Sequence, residues 1–363
     1  MRVAFDEQIF AIQPYGGISR MFAELAQQFI SEPDLGIQLL PLNAPVINRY
    51  ALDHPDIRKH LAVRDAGHEY YSLARYFMRI RPRRGQDIVH NTFYLPHGLA
   101  SYPGAKRIVT IHDMIPELMP ETRRRLDFLT LKKHYVQRAD HIICVSEATK
   151  ESLLEIYPNV KAPVSVVHHG VHPRFTPDAA PLNNFPANYL LFVGNRGGYK
   201  DADVLFQAFA SIAEEFPDLD LVLVGGGPIS AQERGLLETL SIEQRTRQVN
   251  LTDADMVGAY AHAQAFVFPS SFEGFGIPAL EAMACGTPTI LASATSLPEV
   301  GGHAAVYFKP GDAEELATRL TEVLTDARLR EKLSQGGMHR AATFTWHRSA
   351  VAHAQTYAKV LAS

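Results

Sequence analysis

The chain is expected to be α/β, built from two open parallel sheets that each carry flanking helices. Three observations lead there. Short apolar runs alternate with helix-period stretches along the whole chain, the pattern of parallel strands joined by crossover helices. One proline-rich stretch without periodicity interrupts that alternation near the middle. The length, 363 residues, exceeds what one ordinary core organises, so two domains are expected.

Taken in order, strands are expected at 2–5, 37–40, 88–90, 107–111, 141–145 and 164–167, with helices at 18–30, 69–79, 124–138 and 147–156. Residues 172–188 hold Pro173, Pro177, Pro181 and Pro186 and read as a linker. The alternation then restarts, with strands at 189–193, 221–224, near Val249, 265–268 and 289–291, and helices at 203–216, 231–240, 255–262 and 278–285. Helical patterns follow at 313–325 and 328–342, and a last apolar-striped helix begins near Trp346. The expected organisation is therefore an N-terminal domain 1–171, a linker 172–188, a C-terminal domain 189–345 and a final helix 346–363. Open parallel sheets bind ligands at the carboxyl ends of their strands, so a cleft between two such edges is where chemistry is sought.

Composition narrows the function. Hydrophobic residues at 46% and charged residues at 20% suit a soluble globular protein, and a formal charge of −4 argues against a nucleic-acid partner. Cys144 lies in an apolar strand and Cys285 at a helix end, so both read as core residues of a cytoplasmic protein. The first residues read as a strand rather than a signal peptide, and no apolar run is long enough to span a membrane.

The stretch 270–288 carries the strongest chemical signal. A strand ends at Pro269, Gly274 and Gly276 bracket Phe275 ahead of Ile277, and Pro278 and Gly286 punctuate the two ends of a helix. Free amides at such a helix start favour an anion, although a glycine-rich loop here can also be only a turn. Glu273 and Glu281 flank it eight positions apart. Carboxylates beside a phosphate site would repel it, so hydroxyls are their natural partners, and a vicinal diol donates two hydrogen bonds to one carboxylate. Diols on both sides of a diphosphate describe a nucleotide sugar.

Arg196 and Lys200 follow the strand at 189–193 in a glycine loop. Fixed cations there stabilise a departing diphosphate, whose negative charge grows as the sugar bond breaks; two solvated loop residues are the plain alternative. Gly225-Gly226-Gly227-Pro228 is a second strand-to-glycine turn. It nearly matches a dinucleotide fingerprint, which opens a dehydrogenase reading, but the third glycine is missing and the turn is not the first of its domain. Gly16 and Gly17 precede a helix after the first strand and let backbone approach a ligand, or simply turn. His112 ends the strand 107–111 at the predicted ligand edge, with Asp113 placed to orient its ring or to cap the next turn.

The order Glu273-Gly-Phe-Gly-Ile-Pro-Ala-Leu-Glu281-Ala-Met-Ala-Cys-Gly-Thr-Pro resembles the signature of the retaining glycosyltransferases of family 4. That resemblance implies the GT-B fold: two Rossmann-like parallel-sheet domains facing a central cleft, with the C-terminal helix crossing back to the N-terminal domain. It implies that Glu281 binds the donor ribose, Glu273 the transferred sugar, and the Gly274, Phe275, Gly276 and Ile277 backbone the sugar and phosphates. Arg196 and Lys200 then hold the leaving diphosphate. The family has an asparagine after that lysine where this chain has Asp201. Gly16, Gly17 and Gly225 are implied to line the donor site, and His112 to face the donor. The family's helix start Val-Ser-Glu is similar to Val145-Ser146-Glu147, for which N-capping suffices.

His168, His169 and His172, and the pair Asp253 and Asp255, look like metal ligands, but the first align with a family loop and the second open a helix. No cofactor and no essential metal are expected. Alignment of Phe5-Asp6-Glu7-Gln8-Ile9-Phe10 and Tyr15-Gly16-Gly17-Ile18-Ser19-Arg20 with bacterial members implies surface-polysaccharide assembly, such as lipopolysaccharide O-antigen, with GDP-mannose as donor and a glycan or lipid-linked saccharide as acceptor. A nucleotide-sugar epimerase of the same fold and a non-catalytic nucleotide-sugar-binding regulator are the alternatives. Arg75, Arg79, Arg81, Arg83, Arg84, Arg123, Arg124, Arg125, Lys132 and Lys133, interleaved with aromatics, suit peripheral contact with anionic membrane; a solvated face explains them as well.

Overall fold

Valine, isoleucine, leucine and phenylalanine runs become strands buried on both faces, as parallel sheets covered by helices require. The computed structural model describes residues 1–66, 83–120, 129–183 and 185–363. The chain divides into one unit of Met1–Gly170 with Trp346–Ser363 and a second of Val171–Thr345.

In the first unit the strands are β1 (Arg2–Phe5), β2 (Gln38–Leu39), β3 (Pro45–Val46), β4 (Arg64–Asp65), β5 (Ile88–Asn91), β6 (Lys106–Ile111), β7 (His141–Cys144) and β8 (Val164–Val166). Six of them form a parallel sheet in the order β2-β1-β5-β6-β7-β8, while β3 and β4 pair with each other. The expected helix 69–79 lies outside the described residues, and of 124–138 only Leu129–Arg138 falls within them. The last helix, Trp346–Ala362, packs against the helix Gly17–Ser31. Its Trp346, Ala350, Ala354, Tyr357 and Val360 form one stripe at helical spacing and join the core of Phe5, Phe22 and Phe29. Tyr357 and His90 tie that helix to the sheet, with 2.7 Å between the hydroxyl and Nδ1.

The second unit has β9 (Tyr189–Val193), β10 (Asp220–Val224), β11 (Thr246–Val249), β12 (Ala265–Phe268), β13 (Thr289–Ala292) and β14 (Val306–Phe308), parallel in the order β11-β10-β9-β12-β13-β14. The strand β14 is not among those expected. The chain builds outward from β9 to β11, then returns to place β12 on the other side of β9, so the order reverses between β9 and β12. Residues 172–183 and 185–188 belong to this unit. Phe175 meets Tyr260 and Phe185 meets Tyr189 edge to face at 5.9 and 5.5 Å. A Cβ on Gly258 would sit 2.8 Å from the Ala180 carbonyl oxygen, so the helix there needs glycine. Among the described residues no helix is long and apolar enough to cross a membrane.

Candidate functional site

Because β9 and β12 are parallel neighbours, the loops leaving their carboxyl ends emerge side by side at the point where strand order reverses, the place where open sheets take ligands. Lys200 closes the short turn Gly198–Lys200 after β9, and Glu273 lies in the loop after β12. Lys200 Nζ and Glu273 Oε1 are 2.5 Å apart, with side chains 15% and 12% exposed. The ammonium also lies over the Phe268 and Tyr199 rings, at 5.2 and 5.1 Å. Ser271 fastens the two loops together: its N–H donates to the Tyr199 carbonyl at 2.9 Å and to Asp201 Oδ2 at 3.1 Å.

The helix that follows, Ile277–Ala284, has Gly276 at its N-cap with φ 104, a conformation that favours glycine. Pro278 takes the second helical position rather than the expected first, and Gly286 at φ 74 follows the C-cap. Among the described residues no side chain caps the start, and its first turn has no acidic residue. One turn in, Glu281 is buried and accepts a hydrogen bond from the Tyr260 hydroxyl at 3.0 Å. The second acid is therefore aimed from behind by a tyrosine of the helix Asp253–Ala261.

Arg196 departs from expectation. Gly225, Gly226 and Gly227 are all left-handed, at φ 84, 72 and 74, and the turn they make wraps the guanidinium. Arg196 donates to the carbonyls of Gly225, Gly227 and Pro228 at 2.8 to 3.0 Å, and its Nε to Glu233 Oε1 at 2.6 Å. The side chain is 3% exposed. It braces the turn after β10 instead of standing open as a phosphate grip, because left-handed glycines leave carbonyls that only a multi-donor group can satisfy. The Gly225 carbonyl faces Arg196 accordingly. Burial pushes the Glu233 carboxyl up, but Arg196 and the Ser230 cap outweigh it and hold the group below its ordinary value. Glu233 and Ser230 also form the capping box of the helix Ala231–Thr239.

In the first unit Gly16, at φ 152, is the N-cap of the helix Gly17–Ser31. The Gln13 side chain fills this helix start: its Oε1 accepts the Ser19 N–H at 3.0 Å, and a Cβ on Gly16 would lie 2.5 Å from Gln13 Cδ. His112 leaves β6 with its ring buried against Phe22 and, among the described residues, its Nε2 has no hydrogen-bond partner. Burial, then His169 and Lys132, depress its pKa well below the usual value, so the ring is neutral. Asp113 caps the next turn by accepting the Ile115 N–H at 3.1 Å. Lys132, counted above with the surface cations, is instead internal, donating to the Asp113 carbonyl at 3.0 Å and to Glu117 at 2.9 Å. Of that basic group only Arg83, Arg84, Lys132 and Lys133 fall within the described residues.

Ser146 caps its helix by accepting the Thr149 N–H. His172 accepts the Arg174 N–H, and Asp253 and Asp255 stand in a first helical turn capped by Thr252. Among the described residues, no group of three or more histidines, cysteines or acids is arranged to hold a metal ion. Tyr260, Glu233, Thr295 and Ser296 hold the candidate site residues or their neighbours in place and were not singled out from the sequence. The last two follow β13 on the same sheet edge and precede Pro298 at a helix start, which was the available signal.

The family described as Glycosyltransferase Family 4 matches residues 15–175, and the one described as Glycosyl transferases group 1 matches residues 178–340. An O-antigen chain mannosyltransferase B of Escherichia coli is 29% identical over 272 residues, 70% of this chain and 69% of that protein. A D-inositol 3-phosphate glycosyltransferase of Streptomyces bingchenggensis is 30% identical over 63% of this chain, which there spans about half (55%) of the relative. Among solved structures, Anabaena Alr3699/HepE in complex with UDP and glucose is 18% identical, with TM-score 0.76 over 99% of this chain and 100% of that one. With both halves matched in order and the paired parallel sheets in place, the chain belongs to the family 4, group 1 glycosyltransferases of GT-B fold.

Proposed function

We propose that this glycosyltransferase moves mannose from GDP-mannose to a glycan or lipid-linked saccharide acceptor, with retention of configuration, in bacterial surface-polysaccharide assembly. The observation that carries the reading is the pairing of Lys200 with Glu273 where the strand order reverses, beside the uncapped helix that bears Glu281. In this reading Glu281 accepts the ribose diol, Glu273 accepts sugar hydroxyls, and the helix start and Lys200 meet the diphosphate. The donor's C1–oxygen bond to phosphate breaks, the acceptor oxygen bonds to C1 on the same face, and its proton passes to the leaving phosphate. Lys200 gains interaction as charge builds there, which is differential stabilisation of the transition state. No metal ion is assigned a part in this step.

The mannose assignment draws on the O-antigen relative, and the acceptor class on the same similarity. We place the enzyme in the cytoplasm, with contact to anionic lipid through the first unit. A melting-temperature screen against UDP-, GDP-, ADP- and CMP-sugars tests the donor, because a ligand of the folded state alone raises stability with occupancy. The largest rise is expected with GDP-mannose; a larger rise with another sugar nucleotide reassigns the donor.

A further inference from the structure

We propose that Thr295 and Ser296 are positioning residues that aim the Glu273 carboxylate, which rests on Glu273 as the group that meets the transferred sugar. Thr295 has φ 44. A β-branched residue in the left-handed region is a costly conformation that persists only where surrounding contacts impose it. Thr295 Oγ1 accepts the Glu273 N–H at 2.9 Å. The fully buried Ser296 hydroxyl lies 3.0 Å from the Glu273 carbonyl oxygen and 2.9 Å from that of Phe275, shared between them. Leu297 then fills the space beneath Gly276, where a Cβ would be 2.8 Å from its Cδ2.

The turn Glu273–Gly276 is thus clasped at both peptide groups of Glu273, at Phe275 and at Gly276. From the other side Ser271 is fastened to Asp201, a second left-handed residue at φ 50. With its backbone fixed and its carboxylate on Lys200, Glu273 has one place to be. Such support is what holds a sugar-binding carboxylate in productive geometry. The Thr295 hydrogen bond touches Glu273 and not the Gly274–Ile277 backbone assigned to the phosphates, so its loss should be felt by the sugar and not by the nucleoside diphosphate.

Thr295→Gly removes the hydroxyl while accepting the backbone conformation, so the variant folds, and Thr295→Ser keeps the hydroxyl. Titration calorimetry with GDP and with GDP-mannose reads the two halves of the donor separately. Thr295→Gly is expected to bind GDP within about twofold of the unaltered chain and GDP-mannose about tenfold more weakly, with Thr295→Ser restoring most of the difference. Amide hydrogen exchange at Glu273 should accelerate in Thr295→Gly and not in Thr295→Ser. In a Glu273→Gln background the Thr295→Gly change should cost nothing further. Unchanged GDP-mannose affinity in Thr295→Gly, beside a weakened Glu273→Gln, overturns the clasp alone. Unchanged affinity in Glu273→Gln, or no binding of GDP-mannose by the unaltered chain, overturns the donor reading and the clasp with it.

Discussion

Lys200 Nζ lies 2.5 Å from Glu273 Oε1, so the cation and the carboxylate assigned to opposite ends of the broken bond are held by each other. Each charge is the other's partner. In the proposed reading a nucleotide sugar divides the pair, with phosphate going to the ammonium and hydroxyls to the carboxylate.

Removing the cation leaves the growing charge of the leaving group without its fixed counter-charge. Lys200→Ala is therefore expected to lower kcat by about a hundredfold or more, as loss of a preorganised charge contact does. Steady-state kinetics, with circular dichroism to confirm folding, checks it; a rate within a few-fold of normal would remove Lys200 from the reaction.

The Tyr260 hydroxyl fixes one oxygen of Glu281 at 3.0 Å. Tyr260→Phe keeps the buried ring and deletes only the hydrogen bond, so affinity for GDP should fall by about three- to tenfold, an ordinary hydrogen-bond loss. Affinity for 2′,3′-dideoxy-GDP should not change, since it lacks the diol. Equal losses for both nucleotides would show that Glu281 does not read the ribose.

Arg196 and Glu233 test a structural assignment. Arg196 is buried and Glu233 partly exposed, so removing the arginine leaves the acid within reach of water but takes the donor from three carbonyls. Arg196→Met should lower the melting temperature clearly. A variant as stable as the parent but catalytically dead would return Arg196 to the role of phosphate grip.

Acid should weaken the first unit. His169 and His353 are buried, with pKa values pushed from the ordinary 6.5 down to about 3 and about 4, and burial also drives His90 well below that value. Folded values lie below unfolded ones, so between pH 6.5 and about 4 the unfolded chain binds more protons and stability falls as pH drops. Each such histidine adds a slope of up to about 1.4 kcal/mol per pH unit in that window. Urea unfolding between pH 7 and pH 4.5 measures it, and a flat profile would contradict the burial of these rings.

Much of the fold was legible because parallel strands buried on both faces are written as continuous apolar runs such as Tyr189–Val193 and Ala265–Phe268. The strand Val306–Phe308 was not, being a three-residue, half-covered edge. Nor was the pair β3 and β4, whose Arg64 and Asp65 are exposed and carry no apolar pattern. At the site, the spacing of Glu273 and Glu281 on one loop and helix is local and could be read. The partners of Glu281, Glu273 and Arg196 come from Tyr260, Thr295 and Glu233, set beside them only by strand order. Arg196 shows the limit: a cation after a strand looks the same whether it faces phosphate or the carbonyls of a glycine turn.

The most direct measurement is a crystal structure of the chain with GDP bound. The diphosphate is expected within hydrogen-bonding reach of Lys200 Nζ and of the backbone between Gly274 and Ile277, with the ribose hydroxyls on Glu281. A diphosphate bound away from Lys200 and from that helix start would contradict it.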